Sequence, residues 1–255
     1  MRKSQIVCCF IVVSLLGGHR FARAADPAHP DQPIVSPAEA ISRLKEGNGR
    51  FTAGNAQHPH ESADERKHMA TNSYANAGMI FLGMTAEQAA KRRGELTKSQ
   101  HPFAAIVSCS DSRVPPEIVF DEGLGDLFVV RVAGNVMNDE NLGSVEYAVD
   151  HLAVRLIVVL GHQRCGAVKA AKDTIAAKTE APAHIQSLVN AIRPAVEATV
   201  KGDLEATVEA NVKNVVQALR SSTPILKPKV DSGEVRVIGG YYSLDTGSVT
   251  FLEEK

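Results

Sequence analysis

Three short apolar runs constrain the fold of this chain more than any other feature of its 255 residues. Each run is too short for a typical helix and almost unbroken in hydrophobicity, as expected of parallel strands that are covered on both faces. A segment with mainly helical spacing, from Asn141 to Leu152, separates the second run from the third and predicts a strand–helix–strand unit. The runs are Phe103 to Val107, Leu127 to Val132 and Leu156 to Leu160. We therefore expect an α/β fold with a mostly parallel central sheet flanked by helices.

Helix and turn signals predict the segments on either side of these runs. Ser36, Pro37 and Glu39 are typical of a helix N-terminus, so an N-terminal helical arm is expected from the Ser36 cap to about Phe51. Asp245-Thr246-Gly247 predicts the turn of a closing hairpin. Further helices are expected at 61–70, 85–98, 184–199 and 203–220, and hairpin strands at 234–242 and 248–252. The sequence does not decide between helix and loop within 71–90.

The first 24 residues have the pattern of a secretory signal peptide. Arg2 and Lys3 supply a positive start, residues 6–18 form an apolar run, and Ala22-Arg23-Ala24 supplies a small-residue cleavage site. The alternative, a transmembrane anchor, needs about 20 apolar residues, and this run is shorter. We therefore predict a signal peptide at 1–24, a Pro-rich lead at 25–35 and a single folded domain at 36–255. Such a protein is exported to the periplasm and keeps no membrane anchor after cleavage.

The charge balance gives no support to nucleic-acid binding, which usually requires a basic face. The chain has 28 Lys and Arg residues against 29 Asp and Glu residues, a formal charge of -1. Removal of residues 1–24 takes away four basic residues and no acidic one, which changes the charge to -5. No nucleic-acid partner is therefore expected.

Reactive side chains directly follow two of the predicted strands. Cys109 comes just after the first strand, and His162 and Cys165 follow the third strand, three positions apart where a loop enters a helix. The carboxyl ends of parallel strands meet at one edge of a sheet, the usual ligand crevice of an open α/β fold. Two thiolates and one imidazole suit Zn²⁺, and a set of three protein ligands leaves a fourth position open.

A disulfide is the alternative for the same two cysteines. Two of the four cysteines lie in the predicted signal peptide, which leaves Cys109 and Cys165 in an exported, oxidising compartment that favours disulfides. A disulfide does not explain His162 beside Cys165, nor the charged residues Asp111 and Arg113 just after Cys109. The pattern therefore favours the metal site and leaves the disulfide as a competing hypothesis.

Four motifs give the chain a specific resemblance. CSDSRVPPE at 109–117, VVRVAGN at 129–135, EYAVDHL at 146–152 and GHQRCGAV at 161–168 resemble the β-class carbonic anhydrases. The resemblance runs from about Ser36 to the final hairpin. It implies a mostly parallel sheet with one antiparallel edge strand, and a homodimer or dimer of dimers in which both subunits contribute to each pocket.

The resemblance also implies an activity and a set of roles. The activity is the zinc-dependent reversible hydration of carbon dioxide to bicarbonate and a proton, by attack of zinc-bound hydroxide on carbon dioxide, with one Zn²⁺ per subunit. The implied zinc ligands are Cys109, His162 and Cys165, with Asp111 as a further residue of the metal site. The implied catalytic pair is Asp111 and Arg113, and the implied substrate pocket is lined by Gln100, Phe128 and Tyr147.

Asp111 is the residue on which the chemistry of such a site depends. Two thiolates cancel the charge of zinc, so another group must favour hydroxide. Held by Arg113, Asp111 stays ionised and off the metal, where it can accept a hydrogen bond from hydroxide; without Arg113 it becomes a candidate fourth ligand. Some family members switch this Asp onto zinc through a Trp, an Arg and a Tyr that hold bicarbonate. Here Arg131 matches the Arg but Ile106 occupies the Trp position, so we predict that Asp111 stays off the metal at neutral pH.

Two alternatives use the same residues differently. One is a zinc hydrolase of carbon disulfide or carbonyl sulfide on the same fold, which would keep all five site residues and narrow the access of substrate. The other is a non-catalytic export protein that binds zinc or is stabilised by a disulfide.

Overall fold

A computed structural model describes residues 34–56 and 96–252. The described helices are α1 (Pro37–Thr52), α2 (Pro116–Val119), α3 (Asp139–Asp150), α4 (Gly166–Ala176), α5 (Ile185–Ala198), α6 (Leu204–Ser221) and α7 (Leu226–Asp231), with a 3-10 turn at Ala133–Asn135. The described strands are β1 (Ala104–Ser108), β2 (Leu127–Arg131), β3 (Leu156–His162), β4 (Arg236–Tyr242) and β5 (Val249–Leu252). The predicted signal peptide, the helix at 61–70 and most of the helix at 85–98 lie outside the described residues. Within them, no helix combines the length and the apolar character that crossing a membrane requires.

The five strands form one sheet in the order β2-β1-β3-β4-β5. The first four strands are parallel to one another, and β5 is antiparallel to β4. This arrangement confirms the predicted mostly parallel sheet with a single antiparallel strand at its edge. The turn between β4 and β5 also forms as predicted, since Gly247 adopts φ +72° and the Ser243 N–H donates to the Ser248 carbonyl at 2.9 Å.

Helices cover both faces of the sheet, which explains why the strand sequences are continuously apolar. Ala105 and Val107 of β1 belong to a buried cluster with α3 and α6 on one face. Ile106, between them, belongs to a second cluster with α1 and α2 on the other face. Successive strand side chains point to opposite faces, so both sets of positions must be apolar. At roughly 1.5–3 kcal/mol for each fully buried large aliphatic side chain, this burial is the main stabilising term of the fold.

Asn48 ties helix α1 to the hairpin. Its side chain is 6% exposed, and its amide nitrogen donates to the Val119 carbonyl at 2.9 Å and to the Gly247 carbonyl at 2.8 Å. Its amide oxygen accepts from the Val249 N–H at 2.8 Å. At the start of the same helix, Ser36 accepts from the Glu39 N–H at 3.2 Å, which confirms the predicted N-cap. Helix α1 is therefore fixed at its first turn by a local cap and near its end by a long-range contact.

The observed elements differ from the predicted ones mainly at their ends. Strand β3 continues two residues beyond Leu160, because Gly161 and His162 pair with Tyr241 and Tyr242 of β4. The hydrophobic pattern stops earlier, since neither residue is apolar. Helices α2 and α7 were not predicted, because four and six residues are too few to show a helical period.

Candidate metal centre

Cys109, His162 and Cys165 come together at the carboxyl edge of the sheet. Strands β1 and β3 are parallel neighbours with Ser108 opposite Leu160, so the residues that follow them emerge side by side. The two sulfur atoms and a ring nitrogen all lie within 4.8 Å of one another. All three residues are buried, with exposed fractions of 4%, 0% and 1%. The structure thus brings together the three residues that the sequence predicted as ligands.

The imidazole of His162 is oriented towards the two sulfur atoms by its own neighbour. Its Nδ1 lies 2.9 Å from the Gln163 carbonyl, which can only accept, so Nδ1 carries the proton. The lone pair is then on Nε2, which is buried and has no hydrogen-bond partner among the described residues. An unpartnered buried nitrogen is costly unless a cation binds it, and this tautomer is the one a metal requires.

Both cysteines are free and buried, and they interact with each other. The hydrogen bond with Cys165 is the largest cause that lowers the pKa of Cys109 far below its ordinary value, and the Gly134 N–H lowers it further against the effect of burial. The same hydrogen bond, together with burial, raises the pKa of Cys165. The two pKa values thus move in opposite directions, which favours a single proton shared by the two sulfur atoms, and a metal ion that bound both sulfurs would displace it.

Gly134 supplies a backbone donor to the centre. Its N–H lies 3.3 Å from Cys109 Sγ, and its φ is +71°. A Cβ at this position would lie 2.8 Å from Ile192 Cδ1 and 3.2 Å from Ala167 Cβ. Glycine is therefore required on two counts, the left-handed backbone and the close packing, and sequence reasoning did not single it out.

Asp111 stands beside the centre and is fully engaged by Arg113. The Arg113 Nε and Nη2 donate to Oδ1 at 2.9 Å and to Oδ2 at 2.7 Å, and the Arg113 backbone N–H donates to Oδ1 at 3.0 Å. Hydrogen bonding from Arg113 is the main cause that lowers the pKa of Asp111. Asp111 Oδ2 lies 3.9 Å from His162 Nε2. The carboxylate is thus ionised and adjacent to the cluster without being one of its three converging groups.

Arg131 braces the loop that carries Cys109 and Asp111. Its Nε donates to the Cys109 carbonyl at 2.9 Å, and its Nη2 donates to the Asp111 carbonyl at 2.6 Å. In the sequence, Arg131 was recognisable only as a match to a regulatory position, and these bracing contacts were not predicted. Both acceptors are backbone carbonyls, 22 and 20 positions away along the chain, and every residue has one. Such contacts therefore leave no pattern in the sequence.

The three predicted pocket residues make other contacts than with the Cys–His cluster among the described residues of one chain. Phe128 and Tyr147 pack together with ring centroids 6.4 Å apart, and Tyr147 also stacks on His151 at 4.8 Å. Tyr147 is 38% exposed, and Gln100 is exposed in the segment before β1. Among the described contacts, none joins Gln100, Phe128 or Tyr147 to the Cys–His cluster.

The fold and the centre together define an α/β protein with a buried Cys2His cluster that could hold a metal ion, flanked by an ionised Asp–Arg pair. Comparison with known proteins agrees with that class. A family model described as carbonic anhydrase matches residues 104–249. The chain is 38% identical over 218 residues to carbonic anhydrase 2 of Mycobacterium tuberculosis, which covers 84% of this chain and 92% of that protein.

Solved structures show the same relationship. A Coccomyxa β-carbonic anhydrase in complex with acetazolamide is 30% identical, with a TM-score of 0.56 over 66% of this chain and 81% of that one. Tetrameric β-carbonic anhydrases from Sordaria macrospora share the fold, with 21% identity and a TM-score of 0.60 over 76% of this chain and 98% of that one. The chain belongs to the β-class carbonic anhydrase family.

Proposed function

We propose that this protein is a zinc enzyme that interconverts carbon dioxide and bicarbonate. The observation that carries the proposal is the buried cluster of Cys109, His162 and Cys165 beside an Asp111 carboxylate held by Arg113. The family supplies the class of reaction, and the cluster supplies the groups that the reaction needs.

The three converging residues fit zinc. Two sulfur donors and one imidazole nitrogen form a borderline-soft set, and the unpartnered Nε2 of His162 is ready to ligate. Three protein ligands leave one position of a tetrahedral ion open. Held by these three residues, zinc would supply a Lewis acid that makes a bound water acidic enough to act as the nucleophile towards carbon dioxide.

Asp111 orients what enters the open position. Because Arg113 lowers its pKa, the carboxylate is ionised and can only accept hydrogen bonds. Its location 3.9 Å from His162 Nε2 allows it to accept from the O–H of a water or of bicarbonate beside the metal. The two bonds from Arg113 hold both oxygens and so keep the carboxylate from turning towards the metal as a fourth ligand.

A second copy of the chain completes the pocket in this proposal. Tyr147 is exposed and Phe128 is on β2, the strand at the open edge of the sheet. An edge strand with half-buried Leu127, Phe128 and Val129 is a surface that another chain can cover. This exposed apolar edge, with no described contact from Phe128 or Tyr147 to the cluster of the same chain, supports a homodimer, or a dimer of dimers, in which they line the partner's pocket.

Stopped-flow measurement of carbon dioxide hydration, with zinc quantified in the same sample, tests the proposal. We expect about one zinc per chain and rapid hydration that Cys165→Ala abolishes together with the metal. A protein that releases hydrogen sulfide from carbon disulfide but does not hydrate carbon dioxide would instead be the alternative hydrolase. Well under one zinc per chain, with Cys109 and Cys165 joined as a disulfide, would contradict any zinc enzyme.

We also propose export to the periplasm after removal of residues 1–24, on the signal pattern of the sequence. Intact-mass measurement of protein recovered from the periplasmic fraction tests it. A mass that begins at Ala25 is expected, and full-length protein in the cytoplasmic fraction would contradict it.

A further inference from the structure

The turn between β4 and β5 forms hydrogen bonds with Gln163 and Arg164, the two residues that separate His162 from Cys165. Asp245 Oδ2 accepts from Gln163 Nε2 at 2.8 Å. The same carboxylate accepts from Arg164 Nη1 at 3.1 Å and from Arg164 Nη2, which lies 2.7 Å from Oδ1. The Asp245 N–H returns a hydrogen bond to Gln163 Oε1 at 3.2 Å. One residue, about 80 positions away along the chain, therefore contacts the whole intervening dipeptide.

These contacts continue to the metal ligand through Gln163. The Gln163 carbonyl accepts the proton of His162 Nδ1 at 2.9 Å, and the Gln163 N–H donates to the Tyr242 carbonyl at 2.8 Å. The backbone of Gln163 thus sets the direction in which His162 Nε2 points. With its side chain held by Asp245, Gln163 is fixed by three separate contacts.

Contact with Asp245 also stabilises the unusual backbone conformation of Arg164. Its φ is +54°, in the left-handed region that a residue with a side chain adopts only when its surroundings enforce it. The residue after it, Cys165, is a metal-ligand candidate and caps helix α4. Pairing of Arg164 with both oxygens of Asp245 opposes the return of this backbone to an ordinary conformation, which would move the Cys165 sulfur.

We propose that Asp245 is a positioning residue that lengthens the residence time of the metal, by holding Gln163 and Arg164 in the conformation that aims His162 and Cys165. The inference rests on the proposed zinc function. Among the described contacts, none joins Asp245 to the side chain of Cys109, His162 or Cys165, so it acts on the metal only through the loop. Ligand-orienting residues of this kind commonly change metal affinity by about 10- to 100-fold.

The competing interpretation is an ordinary surface ion pair. The Arg164 and Asp245 side chains are 53% and 58% exposed, and most exposed pairs contribute little to stability. The chain offers a matched control in Lys169 and Asp173 on α4, a pair that is 64% and 63% exposed with Nζ and Oδ2 2.5 Å apart. Asp173→Asn removes an exposed ion pair near the centre without touching residues 162–165.

The test measures how fast the zinc-loaded protein loses its metal to an excess of a chromogenic chelator. Asp245→Ala is expected to raise the dissociation rate constant at least about tenfold, whereas Asp173→Asn leaves it within about twofold of the wild type. Asp245→Asn retains contacts to Gln163 and loses the charged pairing with Arg164, so its dissociation rate constant is expected to lie between those of Asp245→Ala and Asp173→Asn. It replaces the Ala variant in the test if that variant does not fold. Cobalt-substituted protein gives a second readout, since a loosened loop shifts the visible absorption of the thiolate-bound ion.

The outcomes separate this inference from the proposed function. If the wild type binds zinc and its zinc dissociation rate equals those of Asp245→Ala and Asp245→Asn, the role of Asp245 is overturned. The enzyme assignment is then left intact. A wild-type protein that binds no zinc would overturn the proposed function and this inference with it. Carbon dioxide hydration by Asp245→Ala that recovers in saturating zinc supports a role in metal retention, whereas a kcat that stays low in saturating zinc would contradict it.

Discussion

Arg113 holds both carboxylate oxygens of Asp111, with Nε 2.9 Å from Oδ1 and Nη2 2.7 Å from Oδ2. The two residues are only two positions apart, so the loop folds back on itself to make the pair. An ion pair with this two-point geometry fixes direction as well as charge. This geometry keeps the Asp111 carboxylate ionised and in a fixed direction beside the candidate metal centre, so that it can only accept hydrogen bonds there.

Arg113→Leu is expected to lower kcat/KM for carbon dioxide hydration on the order of 100-fold, because the freed carboxylate loses its orientation and can turn towards the metal. Zinc content stays near one per chain, since Arg113 is not a ligand. Stopped-flow assays on samples of measured zinc content check this. Arg193→Leu, which removes an exposed arginine paired with Glu197 at 3.8 Å, is the control. Equal kcat/KM in Arg113→Leu and the wild type would contradict the role of the pair.

Gly134→Ala is expected to destabilise the protein by about 2–3 kcal/mol. The new Cβ would lie 2.8 Å from Ile192 Cδ1, on a backbone whose φ is +71°. The matched control is Gly143→Ala in helix α3, where a Cβ meets nothing within 4 Å, and this change should stabilise by roughly 0.5–1 kcal/mol. Free energies of unfolding in urea measure both, and a loss of stability at both positions would argue against the packing explanation.

Asn48→Ala is expected to cost about 2–4 kcal/mol of the free energy of unfolding. The change leaves the Val119 and Gly247 carbonyls and the Val249 N–H without their partner in a buried site. Asn190→Ala, at an exposed asparagine of helix α5 that accepts from Gln186, should change stability by less than about 0.5 kcal/mol. Thermal and chemical unfolding measure the free energy of unfolding of both variants. Equal losses of stability in Asn48→Ala and Asn190→Ala would disprove this expectation.

Glu122 makes stability depend on pH near neutrality. The residue is 8% exposed, and this burial is the largest cause that raises its pKa to about 7. The negative charges of Asp126 and, more weakly, Asp121 raise the pKa further, whereas Arg43 and Arg50 lower it. A carboxyl group whose folded pKa is raised binds more protons in the folded state than in the unfolded state. Its contribution therefore favours folding at low pH and is lost as pH rises from about 4.5 to about 7.

Glu122→Gln removes this dependence. Relative to the wild type, the variant should gain stability between pH 5 and pH 8, on the order of 2 kcal/mol, as the wild-type carboxyl group ionises. Urea unfolding at several pH values measures the difference. Glu117→Gln, which removes an exposed carboxyl from helix α2, is the control. A constant difference between Glu122→Gln and the wild type over that range would show that Glu122 does not titrate there.

The parts of the site that could be predicted are those with a local signature. Cys109 directly follows a buried strand, and the spacing of His162 and Cys165 lets both reach one ion, so short-range pattern was sufficient to predict that these three side chains lie together. The bracing by Arg131 and the contacts of Asp245 could not be predicted. Each joins residues about 20 or 80 positions apart through exposed or half-buried polar groups, which have no periodicity.

The parallel sheet, the edge of the sheet at which the reactive side chains lie, and the types of donor atom available there could all be predicted from the sequence. Those properties follow from hydrophobic period and residue type, which are local. Three features became visible only in the folded chain: Nε2 is the unprotonated nitrogen of His162, Arg113 donates to both oxygens of Asp111, and the hairpin turn contacts the loop between His162 and Cys165. These are directional hydrogen bonds, and their partners are chosen by how the chain packs rather than by which residues it contains.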